Sequence, residues 1–131
     1  MSAEITALNL PNVIVVGEVE DAAAFMQSKA IMIVPLLSAG GVRVKIIEGL
    51  ALGRSVISTT LGAEGLQCQH GKHLMLADRK EDWIEALEVL LHDENLREKF
   101  AIEGRNHVAS HFDLVAVTNQ LVSFYKEIRK G

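Results

Sequence analysis

The sequence predicts an α/β fold: a parallel sheet of short buried strands covered by helices on both faces, followed by a helical C-terminal region. Three features predict it. Short β-branched apolar runs recur without polar alternation, as strands buried on both faces require. Helical segments separate these runs, and parallel neighbours need such crossovers. Beyond residue 80 the periodicity is helical throughout.

The elements follow in order. Asn12-Val13-Ile14-Val15-Val16 is a β-branched run closed by Gly17, which predicts a buried strand. Glu20 and Asp21 then open a helix over 22–29, their charges suiting its N-terminus. Ile31-Met32-Ile33-Val34 is a second strand, stopped by Pro35. A Ser-Ala-Gly-Gly loop leads to a helix over 42–52, ended by Gly53. Ser55-Val56-Ile57-Ser58 is a third strand, residues 59–71 are mostly loop, and residues 73–76 form a fourth. An amphipathic helix over 80–92 places Trp83, Ile84, Leu87, Leu90 and Leu91 on one side. A helix over 95–110 follows, with Gly104 as its point of interruption, and Asp113 caps a last one running to about residue 129. Trp83, spaced with Leu87, is a core residue rather than a platform for a sugar ring.

The 131 residues set a single domain, and 49% hydrophobic content with 23% charged residues excludes a disordered chain. A formal charge of −4 argues against a nucleic-acid partner, which wants a basic face. One cysteine, Cys68, excludes an internal disulfide and fits a reducing, cytoplasmic setting. The N-terminal residues hold no basic stretch followed by an apolar run, so no signal peptide is expected. Five histidines form no HExxH-like set, and no metal ligands are assigned. His107 and His111, four apart, read as residues of a helix surface or fraying end.

The candidate site is the strand–loop–helix passage from Pro35 to Gly53. Ligands of open α/β sheets bind beyond the carboxyl ends of the strands. Gly40, Gly41 and Val42 let backbone N–H groups approach an anion at a helix N-terminus. Arg43 and Lys45 in the first helical turn oppose the helix dipole, so an anion such as a diphosphate would compensate them. The plainer alternative is a turn before a helix. Glu48 lies on an otherwise apolar helix and needs partners, either ligand hydroxyls or Lys45 three residues earlier.

Residues 12–112 resemble the retaining group 1 glycosyltransferases of GT-B fold. The resemblance runs in order through Asn12 to Val19, Ile31 to Leu36, Gly41 to Thr59, Gly62 to Leu66 and His73 to Asp78. It implies a partial Rossmann-like sheet from the C-terminal half of a GT-B enzyme, a transferase of hexosyltransferase type. Such an enzyme moves a sugar from a nucleotide-diphosphate sugar to an acceptor and needs no separate cofactor. It further implies that Glu48 bonds the ribose hydroxyls, that amides of Gly40, Gly41 and Val42 contact phosphate or sugar, and that the turn Gly17, Glu18, Val19 lies near the base. Many members carry an earlier glutamate eight positions before the ribose glutamate; here Gly40 stands there, so no catalytic residue is assigned.

Against that family pattern, the chain would be most of a C-terminal domain without its first two strands and without the acceptor-binding N-terminal domain. It is then expected to be inactive alone, and cytoplasmic, with peripheral membrane association a matter for the complete enzyme. The alternative is a non-catalytic Rossmann-like module binding nucleotide or phosphate. A receiver-type signalling domain lacks its required acids here. With those strands missing, the runs at 13–16 and 31–34 are expected either to pair with each other or to be covered by a second copy in a homodimer.

Overall fold

The computed structural model describes residues 4, 7, 9–36 and 43–112. The described residues form an α/β arrangement with the elements α1 (Ala22–Gln27), β1 (Ile31–Val34), α2 (Arg43–Ala51), β2 (Ser55–Ser58), β3 (Met75–Leu76), α3 (Lys80–His92) and α4 (Glu94–His111), in that order. The sheet is parallel, in the order β1-β2-β3.

Register explains how one strand supports two cores. Val56 sits beside Met32, and Ile57 beside Met75. Successive side chains of a strand point to opposite faces. Val56 therefore joins Val34, Ile46, Ile47, Leu50, Leu74 and Val108 on one face, while Ile57 joins Ala77, Ala86, Leu90 and Phe100 on the other. All four residues of β2 are buried, as a central strand covered on both faces must be. α2 supplies the first face and α3 the second. α4 serves both, with Phe100 in one cluster and Val108 in the other. Trp83 packs against the second cluster, as its spacing with Leu87 predicts.

Three sequence expectations need correction. Residues 13–16 form no strand: the segment is irregular, with Ile14 87% exposed, and the Val13 N–H bonds locally to the Leu10 carbonyl. It does not pair with β1 either, whose only partner among the described residues is β2. β-branched residues favour a pleated, half-buried surface, and no neighbouring strand provides one here. On the far face of the same edge Ile33 stays 51% exposed, although its register partner Ile57 is fully buried.

The second correction concerns Gly104, through which α4 runs without a break. A Cβ there would lie 2.9 Å from Leu50 Cδ2 and 3.4 Å from the His73 carbonyl oxygen. The glycine lets α4 press close to α2 and to the loop before β3. The third is His107, which is 6% exposed rather than on a surface. Its Nε2–H donates to the Leu66 carbonyl at 2.8 Å, fixing the loop after β2 against α4. The helix expected after Asp113 lies outside the described residues. Among those residues, no helix is long and apolar enough to cross a membrane.

Caps set the helix starts. The Asp21 carboxylate accepts from the Ala24 N–H at 3.0 Å, and Asp93 from the Leu96 N–H at 2.9 Å. At α3 the Asp82 carboxylate accepts from the Arg79 N–H at 3.0 Å and from its guanidinium at 3.0 Å. The Arg79 side chain, then its backbone N–H, hold the Asp82 carboxyl down to about 2. Asp78 is lowered too, first by the Thr60 hydroxyl and then by the Thr60 N–H.

A pH dependence follows from these two carboxylates. Their folded-state values lie below the ordinary 3.8, so the unfolded chain takes up protons first as pH falls. Their stabilisation is complete above about pH 4 and is lost as pH drops toward 2. Urea midpoints measured between pH 5 and about 2 are expected to fall, and Asp82→Asn is expected to flatten the curve. An unchanged slope in that variant would remove Asp82 from the account.

Candidate functional site

The carboxyl ends of the three strands open on one side of the sheet, and the loops there are tied to one another. After β1, the Leu36 carbonyl accepts from the Thr59 hydroxyl at 2.7 Å, and the same hydroxyl oxygen accepts from the Gly62 N–H at 3.0 Å. Thr59 is 4% exposed, so this one oxygen joins the loops that follow β1 and β2 inside the protein. Gly62 is needed for the closeness: a Cβ there would lie 2.6 Å from Ser58 Oγ and 3.1 Å from Thr59 Oγ1. After β3, the Asp78 carboxylate accepts from the Thr60 N–H at 2.9 Å and from the Thr60 hydroxyl at 2.6 Å.

These ties frame an open hollow of about 700 Å³ beyond the ends of β2 and β3, whose lining includes Thr60, Glu64, Gln67, Cys68 and Asp78. It lies where ligands of open parallel sheets bind. Thr59, Thr60 and Asp78 are the residues that sequence reasoning passes over, although a signal exists. Each stands one or two residues after a strand, at the sheet edge that positions ligands. Glu64 also lines the hollow.

The sequence-predicted residues fall into three groups. Gly40, Gly41 and Val42 lie outside the described residues. Arg43 is the first residue of α2 by backbone. Lys45 and Glu48 both project from the more open side of α2, with side chains 54% and 44% exposed, while Ile46, Ile47 and Leu50 are buried on the other. Lys45 Nζ stands 3.6 Å from Glu48 Oε2. The local partner weighed from sequence is therefore in place, and Glu48 is half-open rather than a stranded buried carboxylate. A pair this exposed contributes at most about 1 kcal/mol, so a ligand displaces it at small cost.

The third group is the turn Gly17, Glu18, Val19. All three are exposed, and Gly17 takes φ 77°, a backbone shape that favours glycine. Among the described residues no hydrogen bond or ion pair joins this turn to α2.

The family model described as Glycosyl transferases group 1 matches residues 1–93, which include β1, α2, β2, β3 and the loops around the hollow. Among solved structures, the chain is similar to the C-terminal domain of a glycosyl transferase group 1 family protein (LpcC) from Francisella tularensis, with 23% sequence identity and a TM-score of 0.63. The match covers 76% of this chain and 53% of that one, so this chain corresponds to about half of that domain's length. At that identity the likeness establishes the fold, a GT-B C-terminal domain. No curated protein matches the chain.

Proposed function

The chain belongs to the group 1 glycosyltransferases, and from that premise we propose that it contributes the donor side of a sugar transfer, holding a nucleotide-diphosphate sugar at the carboxyl ends of its strands. The observation that carries the reading is the grouping at that edge. α2 starts with Arg43 and Lys45 in its first turn, Glu48 stands half-open one turn later, and a hollow opens beyond β2 and β3 at the carboxyl edge of the sheet.

Each group has a physical task in this reading. Backbone N–H groups of Gly40, Gly41 and Val42, with the dipole of α2, meet the diphosphate. Lys45 and Arg43 add full positive charge where negative charge grows as the sugar–phosphate bond breaks. Glu48 leaves Lys45 and accepts from two ribose hydroxyls, as a carboxylate with two oxygens can. Gly17, Glu18 and Val19 approach the base. The sugar leaves with retained configuration, as the family does, and no cofactor besides the sugar nucleotide takes part.

The whole protein's activity belongs to the same proposal. This chain corresponds to part of a donor domain, so we expect binding without transfer until an acceptor-binding domain is supplied. The outer edge of β1, unpaired among the described residues, suits the strands of such a complete enzyme, or a second copy of this chain. The setting is cytoplasmic, with any membrane contact made by the other domain.

Calorimetric titration with UDP, GDP and ADP tests the site. One nucleotide is expected to bind saturably, and Glu48→Ala is expected to weaken it about 10-fold or more, the loss of hydrogen bonds to a charged group. Equal affinity in the variant would remove Glu48 from the ribose. No binding of any of the three would overturn the donor site of this chain while leaving its family membership intact.

A further inference from the structure

Folding gathers a donor set that the sequence scatters. Cys68, His73 and His107 come from the loop after β2, the approach to β3 and the C-terminal half of α4, yet one donor atom from each lies within 4.8 Å of the others. His73 and His107 are 7% and 6% exposed. We propose that these three residues bind a divalent transition metal of the zinc class, a site separate from the donor residues on α2.

The chemistry of the set favours such an ion. Thiolate with imidazole suits zinc, and the set offers no carboxylate to hard oxygen-seeking cations such as magnesium and calcium. His107 already carries an outer hydrogen bond. Its Nε2–H donates to the Leu66 carbonyl at 2.8 Å, which leaves the Nδ1 lone pair available and gives the ring the outer hydrogen bond that metal-bound histidines use. Its ring packs against the His73 ring with centroids 4.1 Å apart. Cys68 is only partly buried and lines the open hollow, which gives an ion an entry path and leaves solvent for a fourth position.

Binding has two structural consequences. Donor atoms around a tetrahedral zinc stand about 3.3–3.7 Å apart, from bond lengths of about 2.0–2.3 Å. The cluster must therefore close by up to about 1 Å, which rotations of Cys68 and His73 on their loop supply. Proton balance gives the second consequence. The Cys68 thiol, which burial pushes up to about 11 in the metal-free protein, gives its proton to solvent as the sulfur–metal bond forms. His73 Nδ1 now accepts the Gln69 N–H at 2.9 Å, so its proton sits on Nε2. To ligate through Nε2 the ring moves that proton to Nδ1, and the Gln69 bond is given up.

The test uses the untagged, reduced, metal-stripped full chain with Co²⁺ as the probe. One equivalent is expected to produce a near-ultraviolet thiolate-to-cobalt band and the intense visible absorption of tetrahedral cobalt, both abolished by Zn²⁺. Cys68→Ser is expected to lose the thiolate band. His107→Gln is expected to weaken binding at least about 10-fold, with circular dichroism confirming that each variant is folded. Since His107→Gln also removes the bond to Leu66, nitrogen-15 spectra of the native chain give a second readout: Zn²⁺ should move the His73 proton from Nε2 to Nδ1 and shift the Gln69 amide. A weak, octahedral cobalt spectrum that Cys68→Ser leaves unchanged would overturn the site, as would a His73 tautomer indifferent to Zn²⁺.

Discussion

Replacing Phe100 by alanine is expected to remove about 3–5 kcal/mol of stability. Phe100 is 1% exposed and is among the largest side chains the protein buries completely. Its ring fills the space enclosed by Ile57 of β2, Ala77, and Ala86 and Leu90 of α3. Truncation loses the transfer energy of the ring and leaves a void, because elements held by their own hydrogen bonds relax only in part. Domains of ordinary stability hold about 5–15 kcal/mol in all. A chain of this size would spend much of that reserve, and the variant is expected to show a shallow or absent folded baseline. Urea unfolding followed by Trp83 fluorescence suits the test, since Trp83 packs on the same cluster. Ile102→Ala, two residues along the same helix and 58% exposed, is the control and should change stability by no more than about 0.5 kcal/mol. A Phe100→Ala loss no larger than that of the control would mean that this face of the sheet is not packed as described.

The contrast between Phe100 and Ile102 also shows what a sequence can and cannot reveal. β1, β2 and the four helices were legible because their signals are local. Asp21 and Asp93 stand where caps must stand, Gly53 ends α2 with φ 74°, and the 3.6-residue period of α3 is complete from residue 80 to 92. The run at 13–16 has equally strong β-branched character, yet it forms no strand. Pairing is a property of two segments, and composition reports on one. His107 misleads for the same reason in reverse. A polar residue near a helix end reads as exposed until the Leu66 carbonyl, 41 residues earlier in the chain, is found bonded to it.

The candidate site divides along the same line. Arg43, Lys45 and Glu48 are consecutive enough for spacing to place them near one helix start, and the ion pair of Lys45 with Glu48 is a three-residue relation. The hollow is built from residues 60–78, drawn together by the bond of Asp78 to Thr60 across 18 residues. No spacing rule marks that bond. The cluster of Cys68, His73 and His107 is equally invisible to motif reasoning, because its members approach only when α4 folds back under the loop after β2.

Thr59→Val is expected to cost about 2–4 kcal/mol, and its effect should reach the site as well as the core. Valine keeps the shape of threonine and removes only the hydroxyl. That hydroxyl donates to the Leu36 carbonyl at 2.7 Å and accepts from the Gly62 N–H at 3.0 Å. Each buried partner left unmet costs about 1–3 kcal/mol, and Thr59 is 4% exposed, so water cannot readily substitute. Thr59→Ser restores the hydroxyl and should recover most of the loss; a Ser variant as unstable as the Val variant would assign the effect to the methyl group instead. The consequence for function follows from position. Leu36 is the last described residue before α2, and Gly62 stands between Leu61 and Ala63, which line the hollow. With the shared oxygen gone, the two loops lose the contact that sets their separation. Nucleotide affinity of Thr59→Val, measured where the variant remains folded, is therefore expected to fall although Thr59 itself touches no ligand in this reading. Unchanged affinity with reduced stability would make Thr59 a strut of the fold alone.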